Sequence, residues 1–403
     1  MKYIIILGDG MAGEPLDCLG GRTTMEEAAT PELDDLAKKS EIGLVSMVPE
    51  GMAPGSDTAN LSILGYDPRV YYTGRSPLEA LSVGVEMLEN DVSFRCNLVT
   101  LTEEASLPYE DQIMIDHSSD EISTEDAGIL LETLKQSVQK PGMEFFQGTS
   151  YRHLLLWKEG RVPDLTPPHD ILTKPVRAFL PEEPVLLEMM KESYRLLKDH
   201  PLNVRRKARG LHPANAIWFW GAGKKPCLPD FREKTGKRGV MISAVDLLKG
   251  IAAGSGMKVL SVEGATGGLD TNYEGKAEAA VRALLEEDYD FAYIHVEAPD
   301  EMGHQGSMEK KIRSIEFLDQ RLIRTVRSAM DASKEEYRML ILPDHPTPVK
   351  VRTHTADPVP YLLYDSREKQ KTGGADCYCE RTAAESGRWL KEGYHLIEHL
   401  FEY

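Results

Sequence analysis

Four short stretches hold side chains that could ligate a metal ion or act as a nucleophile, each where a strand should end. Asp9 lies in Leu7-Gly8-Asp9-Gly10, and Ser56 in Pro54-Gly55-Ser56-Asp57-Thr58-Ala59-Asn60, ahead of a helical run from Ala59 to Leu64. Asp300 and His304 follow an apolar run at 291–296, and Asp344-His345 follow another at 338–342, with His354 nine residues later. Each alone has a bland reading: a turn aspartate, a serine helix cap, an Asp-His pair in a surface loop. Together three aspartates and three histidines make a donor set that suits a pair of borderline divalent ions such as manganese or zinc. Two such ions about 3.5–4 Å apart can clamp an in-line displacement at phosphorus. A serine is a poor nucleophile until a metal or base activates it. At a helix start it would also bring backbone N–H groups and the positive dipole end to a phosphoryl group.

Such side chains need a rigid frame. Apolar runs at 3–7, 258–263, 291–296 and 338–342 read as strands. Helical patterns lie between them at 274–287 and at 308–333, where Ile312, Ile315, Phe317, Leu318, Leu322 and Val326 recur near helical spacing. The alternation predicts an α/β fold, a mostly parallel sheet sandwiched by helices, with ligands beyond the carboxyl ends of its strands. From about 86 to 205 the pattern changes to short strands (93–101, 111–116, 151–157) and helices, with a proline-rich joint at 162–168. The expectation is a discontinuous α/β domain, 1–85 and 206–403, that carries the candidate metal ligands and is interrupted by a smaller α+β domain, 86–205.

Composition narrows the partners. The 403 residues are 41% hydrophobic and 28% charged, with a formal net charge of −18. Two domains is the prior at this length. Acidity of this degree disfavours nucleic acid and anionic lipid as partners. The longest apolar runs, roughly five or six residues, are too short for a membrane span, and the apolar start at Ile4–Leu7 is too short for a signal peptide. We therefore expect a cytoplasmic protein; the oligomeric state is not legible. Five scattered cysteines (Cys18, Cys96, Cys227, Cys377, Cys379), with no CxxC pair, disfavour a disulfide framework or zinc ribbon.

Two phosphate-binding motifs are imitated but incomplete. Gly8-Asp9-Gly10-Met11-Ala12-Gly13 fits G-x-G-x-x-G, yet the succeeding Glu14-Pro15-Leu16-Asp17 does not open a helix, and Asp9 would face a pyrophosphate. Gly221-Ala222-Gly223-Lys224-Lys225 lacks the spacing and hydroxyl of a P-loop. An ATP-dependent small-molecule kinase therefore has no phosphate cradle. The full ligand set likewise argues against a catalytically silent metal binder.

Longer strings carry a resemblance: GDGMAG, PGSDTANLSILGYDP, YTGRSPLEA, FRCN, VEGATGGLDTNYEGKA, YIHVEAPDEMGH and LPDHPTPVKVRTHTADPVP. From residue 3 to about 364 the chain resembles the cofactor-independent phosphoglycerate mutases of archaeal type, within the alkaline phosphatase superfamily. The resemblance implies interconversion of 3-phosphoglycerate and 2-phosphoglycerate through a phosphoserine, with two divalent ions and without 2,3-bisphosphoglycerate. Manganese is the expected metal, with magnesium, zinc or cobalt as alternatives. By position Ser56 resembles the nucleophile. Asp9, Asp344 and His345 resemble the ligands of the metal that also holds the serine, and Asp300, His304 and His354 those of the second. A metal-dependent phosphatase or another phosphomutase of the superfamily would use the same seven residues. A sulfatase is disfavoured because neither Cys18 nor Cys96 begins a CxPxR stretch.

In the inserted segment Arg95, His117 and Arg152 sit beside apolar strands, as residues lining a substrate cleft would; the bland alternative is that each faces solvent. His295, between Ile294 and Val296, reads as a satisfied core histidine. Trp218, Phe219 and Trp220 read as core, and the Cys377/Cys379 pair as having no redox role. Residues 203–238 hold ten Lys or Arg against Asp230 and Glu233, a local balance of +8 within the acidic whole. Such a run is usually a solvated face; part of it, with the metals, could offset the acidic field for an anionic substrate.

Overall fold

The computed structural model describes residues 1–368 and 374–402, and its contacts divide the chain into two compact units, 1–72 with 227–403, and 73–226. Strands β1 (Lys2–Gly8) and β2 (Glu41–Val45) come first. The second unit holds β3 (Val92–Leu101), β4 (Met114–Asp116), β5 (Met143–Phe146), β6 (Arg152–Trp157) and β7 (Ala216–Lys224). The chain then adds β8 (Gly239–Ile242), β9 (Lys258–Leu260), β10 (Phe291–Val296), β11 (Tyr337–Leu342), β12 (Val359–Asp365) and β13 (Trp389–Leu390).

In the first unit the strand order is β13-β2-β12-β11-β1-β10-β8-β9. Only β12 runs antiparallel to its neighbours, so the sheet is mostly parallel, as the alternation of strands and helices predicts. Ile4, Ile5, Ile6 and Leu7 of β1 are all wholly buried, because a central parallel strand is covered on both faces. β1 pairs in parallel with β10 on one side and β11 on the other, with Gly8 opposite Val296 and Leu7 opposite Leu342. These three strands therefore end at one level, and the segments carrying Asp9, Asp300 and Asp344 leave from adjacent positions.

Details of the elements depart from the sequence pattern. The strand expected over 258–263 shortens to Lys258–Leu260, an edge strand that among the described residues pairs with Val240–Ile242 of β8 alone. The run 308–333 is helical throughout but contains a π turn at Leu318–Ile323. That turn carries Asp319, whose carboxylate accepts the backbone N–H groups of Glu32 and Leu33 at the start of the helix Pro31–Ala37. No helix among the described residues is long and apolar enough to cross a membrane.

The second unit is built on an antiparallel sheet, β4-β3-β6-β5, with β7 paired to the other side of β3. Its core gathers Phe94, Leu98, Leu130, Phe145, Leu155, Met190, Trp218 and Phe219. The expected boundaries at 85/86 and 205/206 move to 72/73 and 226/227. The reason is β7: Ala216–Lys224 runs the length of β3, and the helix Arg75–Ser82 belongs with it. At the joint Gly74 adopts φ +132°, and a Cβ there would lie 2.6 Å from the carbonyl oxygen of Ala222. The basic run 203–238 is thereby divided: Arg205, Arg206, Lys207, Arg209, Lys224 and Lys225 fall in the second unit and the other four in the first.

Candidate metal centre

Two acid–imidazole triads form beyond the carboxyl ends of β1, β10 and β11: Asp9 with Asp344 and His345, and Asp300 with His304 and His354. Asp9 is the first residue after β1. Asp300 and His304 lie one turn apart on the short helix Ala298–His304 that follows β10, so both point the same way. Asp344 and His345 follow β11. His354 comes from the loop before β12, and its ring centroid lies 4.0 Å from that of His345, which joins the triads. Asp9, Asp300, Asp344 and His345 are buried.

Ser56 opens the helix Ser56–Ile63, with its Oγ 3.2 Å from His345 Nε2. One turn on, Asn60 donates from Nδ2 to the Ser56 carbonyl (2.8 Å) and to Asp344 Oδ2 (3.1 Å), while its Oδ1 accepts from the Tyr293 hydroxyl. The nucleophile candidate and a metal-ligand candidate are thus fixed by one buried amide. The loop after β1 runs on without a helix, into single bridges from Met11 and Ala12 to Pro346, which removes the helix a dinucleotide fingerprint requires. Gly10, at φ +59°, lies where a Cβ would come within 2.5 Å of Asp300 Oδ1 and Thr347 Oγ1, so only glycine lets these loops meet.

The hydrogen bonds suit a cation. His304 donates from Nδ1 to the Arg352 carbonyl (3.0 Å), which turns Nε2 toward Asp300 Oδ2 (3.1 Å). His345 Nδ1 meets Thr347 Oγ1 (3.3 Å), a hydroxyl that itself donates to Asp300, so His345 Nε2 faces Ser56 and the two acids of its triad. An imidazole held through Nδ1 with its Nε2 lone pair facing carboxylates is the usual arrangement of a metal ligand. Among the described residues Asp9 Oδ1 is buried with no hydrogen-bond partner, a cost that a bound cation removes.

The titration behaviour agrees. Burial, reinforced by Asp344 and Asp300, pushes the Asp9 carboxyl well above the usual range. At Asp300 burial acts in the same direction, but the hydrogen bonds from His304 and His354 outweigh it and hold the carboxyl well below its ordinary value. The bond to Asp300 raises His304 to about 9 against its partial burial. The two triads thus register crowded negative charge in two ways: in one burial and neighbouring acids raise the Asp9 carboxyl, in the other Asp300 raises the His304 imidazole. A divalent cation would relieve both.

Three contributors were not singled out by sequence. Asn60 and Tyr293 are buried side chains with polar atoms, Asn60 in a largely polar helix and Tyr293 in a mostly apolar strand, and burial of a polar atom marks a partner without naming it. Thr347 is the third. His295 is fully buried and satisfied as expected, but its partners are Asp9 Oδ2 (2.9 Å) and Ser243 Oγ (3.1 Å), so this core histidine supports a member of the site.

In the second unit Arg95, His117 and Arg152 are joined by a series of rings. Arg95 is 6% exposed, stacks 4.0 Å from the Trp220 ring and pairs with Glu79 at 3.0 Å. His169, which sequence reasoning missed, packs edge-on against both Trp220 (5.2 Å) and His117 (6.1 Å). His117 in turn packs on Tyr151, under the guanidinium of exposed Arg152. Arg95 is therefore not a solvent-facing residue, and Trp220, read as core, carries a cation on one face.

The sheet and these side chains define a class: α/β proteins that gather two acid–imidazole triads and a hydroxyl at the carboxyl edge of a parallel sheet. Residues 37–203 match the family described as 2,3-bisphosphoglycerate-independent phosphoglycerate mutase. Over 402 residues the chain is 46% identical to a protein of that name from Methanosarcina barkeri, covering 98% of each, and over 403 it is 45% identical to one from Methanothrix thermoacetophila, covering 99% of each. A solved structure of a protein from Pyrococcus horikoshii superposes with TM-score 0.81 at 29% identity, covering all of this chain and 97% of that one. The cofactor-independent phosphoglycerate mutase from Thermoplasma acidophilum gives 0.65 at 25%, covering 100% and 99%. The chain belongs to the 2,3-bisphosphoglycerate-independent phosphoglycerate mutase family, whose members are metal-dependent isomerases.

Proposed function

We propose that this protein interconverts 3-phosphoglycerate and 2-phosphoglycerate by moving the phosphoryl group through Ser56, in the cytoplasm and without 2,3-bisphosphoglycerate. The observation that carries the reading is the position of Ser56 Oγ, 3.2 Å from His345 Nε2 at the start of a helix beside the paired triads. Asp9, Asp344 and His345 would hold one divalent ion together with Ser56, and Asp300, His304 and His354 a second; Mn²⁺ fits the mixed oxygen and nitrogen donors, and Mg²⁺, Zn²⁺ or Co²⁺ are alternatives. When bound, the ions lower the pKa of the attacking oxygen and neutralise charge on the phosphoryl group.

The chain's own residues do the rest. Asn60 holds the Ser56 carbonyl and so fixes the backbone from which the hydroxyl projects toward His345. In the first half-reaction the Ser56 Oγ–P bond forms as the bond from phosphorus to the glycerate oxygen breaks, and the serine proton ends on that oxygen. The second half runs in reverse onto the neighbouring hydroxyl and restores Ser56. Arg95, Arg152 and His117 would serve the anionic groups of the glycerate, Arg95 with its orientation set by Trp220 and Glu79.

Substrate incubation followed by intact-mass measurement tests the reading. The wild type should gain one phosphoryl group on Ser56 and produce 2-phosphoglycerate in a coupled assay; Ser56→Ala should lose both. Turnover surviving in Ser56→Ala would overturn the mechanism. Free phosphate released in place of the isomer would favour a phosphatase.

A further inference from the structure

We propose that Lys311 is a positioning residue for the paired triads: its ammonium group ties the loop after β1 to the loop after β11 and, through Thr347, sets Asp300 against both. Lys311 lies on the helix Met308–Phe317 and is wholly buried. Its Nζ donates to the carbonyl of Ala12 at 3.0 Å and to that of Thr347 at 2.7 Å. The first lies three residues beyond Asp9, the second two beyond His345. The same loops are also joined by a backbone bond, Thr347 N–H to the Ala12 carbonyl (3.2 Å), so a single carbonyl accepts from both Thr347 and Lys311. Thr347 Oγ1 then donates to Asp300 Oδ1, which carries the link from the first triad to the second.

A lysine in this position needs a reason, because burying an ammonium group is expensive unless charge and hydrogen bonds compensate it. Here the compensation comes from the acids of the site. Asp300, Glu380 and Asp9 oppose the effect of burial on Lys311, which leaves it titrating near 8, largely charged at neutral pH. Glu380 completes the brace from the other side, accepting the N–H of Gly13 (3.0 Å) and the hydroxyl of Thr23 (2.8 Å). A fixed positive charge behind like-charged carboxylates lowers their mutual repulsion, and its two carbonyl contacts hold the loops at one separation. A two-ion centre depends on that separation, since ligands must be held to within about 0.5 Å of the productive geometry. Pairing of metal loops by a buried cation is therefore a function that packing alone would not require.

The inference rests on the two-ion reading above, and the test separates the two. Mn²⁺ is titrated by calorimetry into chelator-stripped full-length protein, and the electron paramagnetic resonance spectrum of the loaded protein is recorded. The wild type should take up two ions and give a spin-coupled pair. Lys311→Met should bind the second ion at least tenfold more weakly and with altered coupling. Thr347→Val, which leaves the Lys311 contacts in place but cuts the link to Asp300, should do the same and serves as the test if Lys311→Met does not fold. A merely structural lysine would lower the melting temperature and leave stoichiometry and coupling unchanged; that result overturns the proposal. A wild type that binds fewer than two ions overturns the two-ion reading, and the role of Lys311 with it.

Discussion

Burial on β10 leaves His295 with two side-chain partners, and these fix its tautomer. The Ser243 hydroxyl accepts from the Val245 N–H (3.0 Å), which leaves its proton for Nδ1; Nε2–H is then the donor to Asp9 Oδ2. Burial and the nearby Lys276 ammonium hold His295 well below its usual pKa, so the ring stays neutral and in one orientation. An outer hydrogen bond of this kind typically contributes 10- to 100-fold to metal affinity. His295→Leu should accordingly weaken Mn²⁺ binding by about tenfold or more, and His295→Gln, which can still donate to Asp9, should recover much of it. Equal affinities in the two variants, measured by calorimetry, would remove His295 from the support of the site. The strand-end aspartates and histidines were legible because residue type and the apolar run before them are local properties. The partner of His295 was not, since Asp9 lies 286 residues away. Lys311 was hidden for a related reason: within its helix it reads as one more charged residue on a solvated face.

β6 exposes a second buried histidine to a different pressure. His153 pairs with Cys96 across β3, its Nδ1 accepts the Gly148 N–H (3.2 Å), and its Nε2 has no partner among the described residues. Burial lowers its pKa to about 4. The folded state therefore resists a proton that the unfolded chain takes up near pH 6.5, and the unfolded state binds more protons throughout that interval. Stability is present above pH 6.5 and is lost as pH falls toward 4, by about 2 kcal/mol between pH 7 and 4.5. His153→Asn keeps an acceptor for Gly148 without the titration, so its urea midpoint should fall less over that range. Tryptophan fluorescence reads the right unit, because Trp157, Trp218 and Trp220 all lie in it. Parallel pH dependence in both proteins would show that His153 stays protonated or exposed. At this scale the sequence was uneven. β1, β10 and β11 are short runs of consecutive apolar residues and stand out alone. β7 is equally apolar, but its partner β3 lies more than a hundred residues earlier, and periodicity cannot report a pairing at that distance; the domain boundary was misplaced for that reason.

For the whole molecule, the net charge of −18 is unevenly consequential. Surface acids are solvated and screened, whereas Asp9, Asp300 and Asp344 are nearly dry and adjacent, where repulsion is strongest. Both triads belong to the first unit, so cation binding at them is linked to the folding of that unit. Occupancy at 100 times the dissociation constant stabilises a site by about 2.7 kcal/mol, so two sites supply a large share of a typical domain's stability. Chelation should therefore raise amide hydrogen exchange in β1, β10 and β11, and leave β3, β6 and β7 as they were. Re-addition of Mn²⁺ should reverse the change, and in Ser56→Ala the reversal should persist, because six of the seven donors remain. Exchange that rises equally in both units would mean that the cations hold the molecule through something other than these triads. Exchange that rises in neither would mean that Lys311 and the hydrogen bonds within the triads already compensate the buried charge without them.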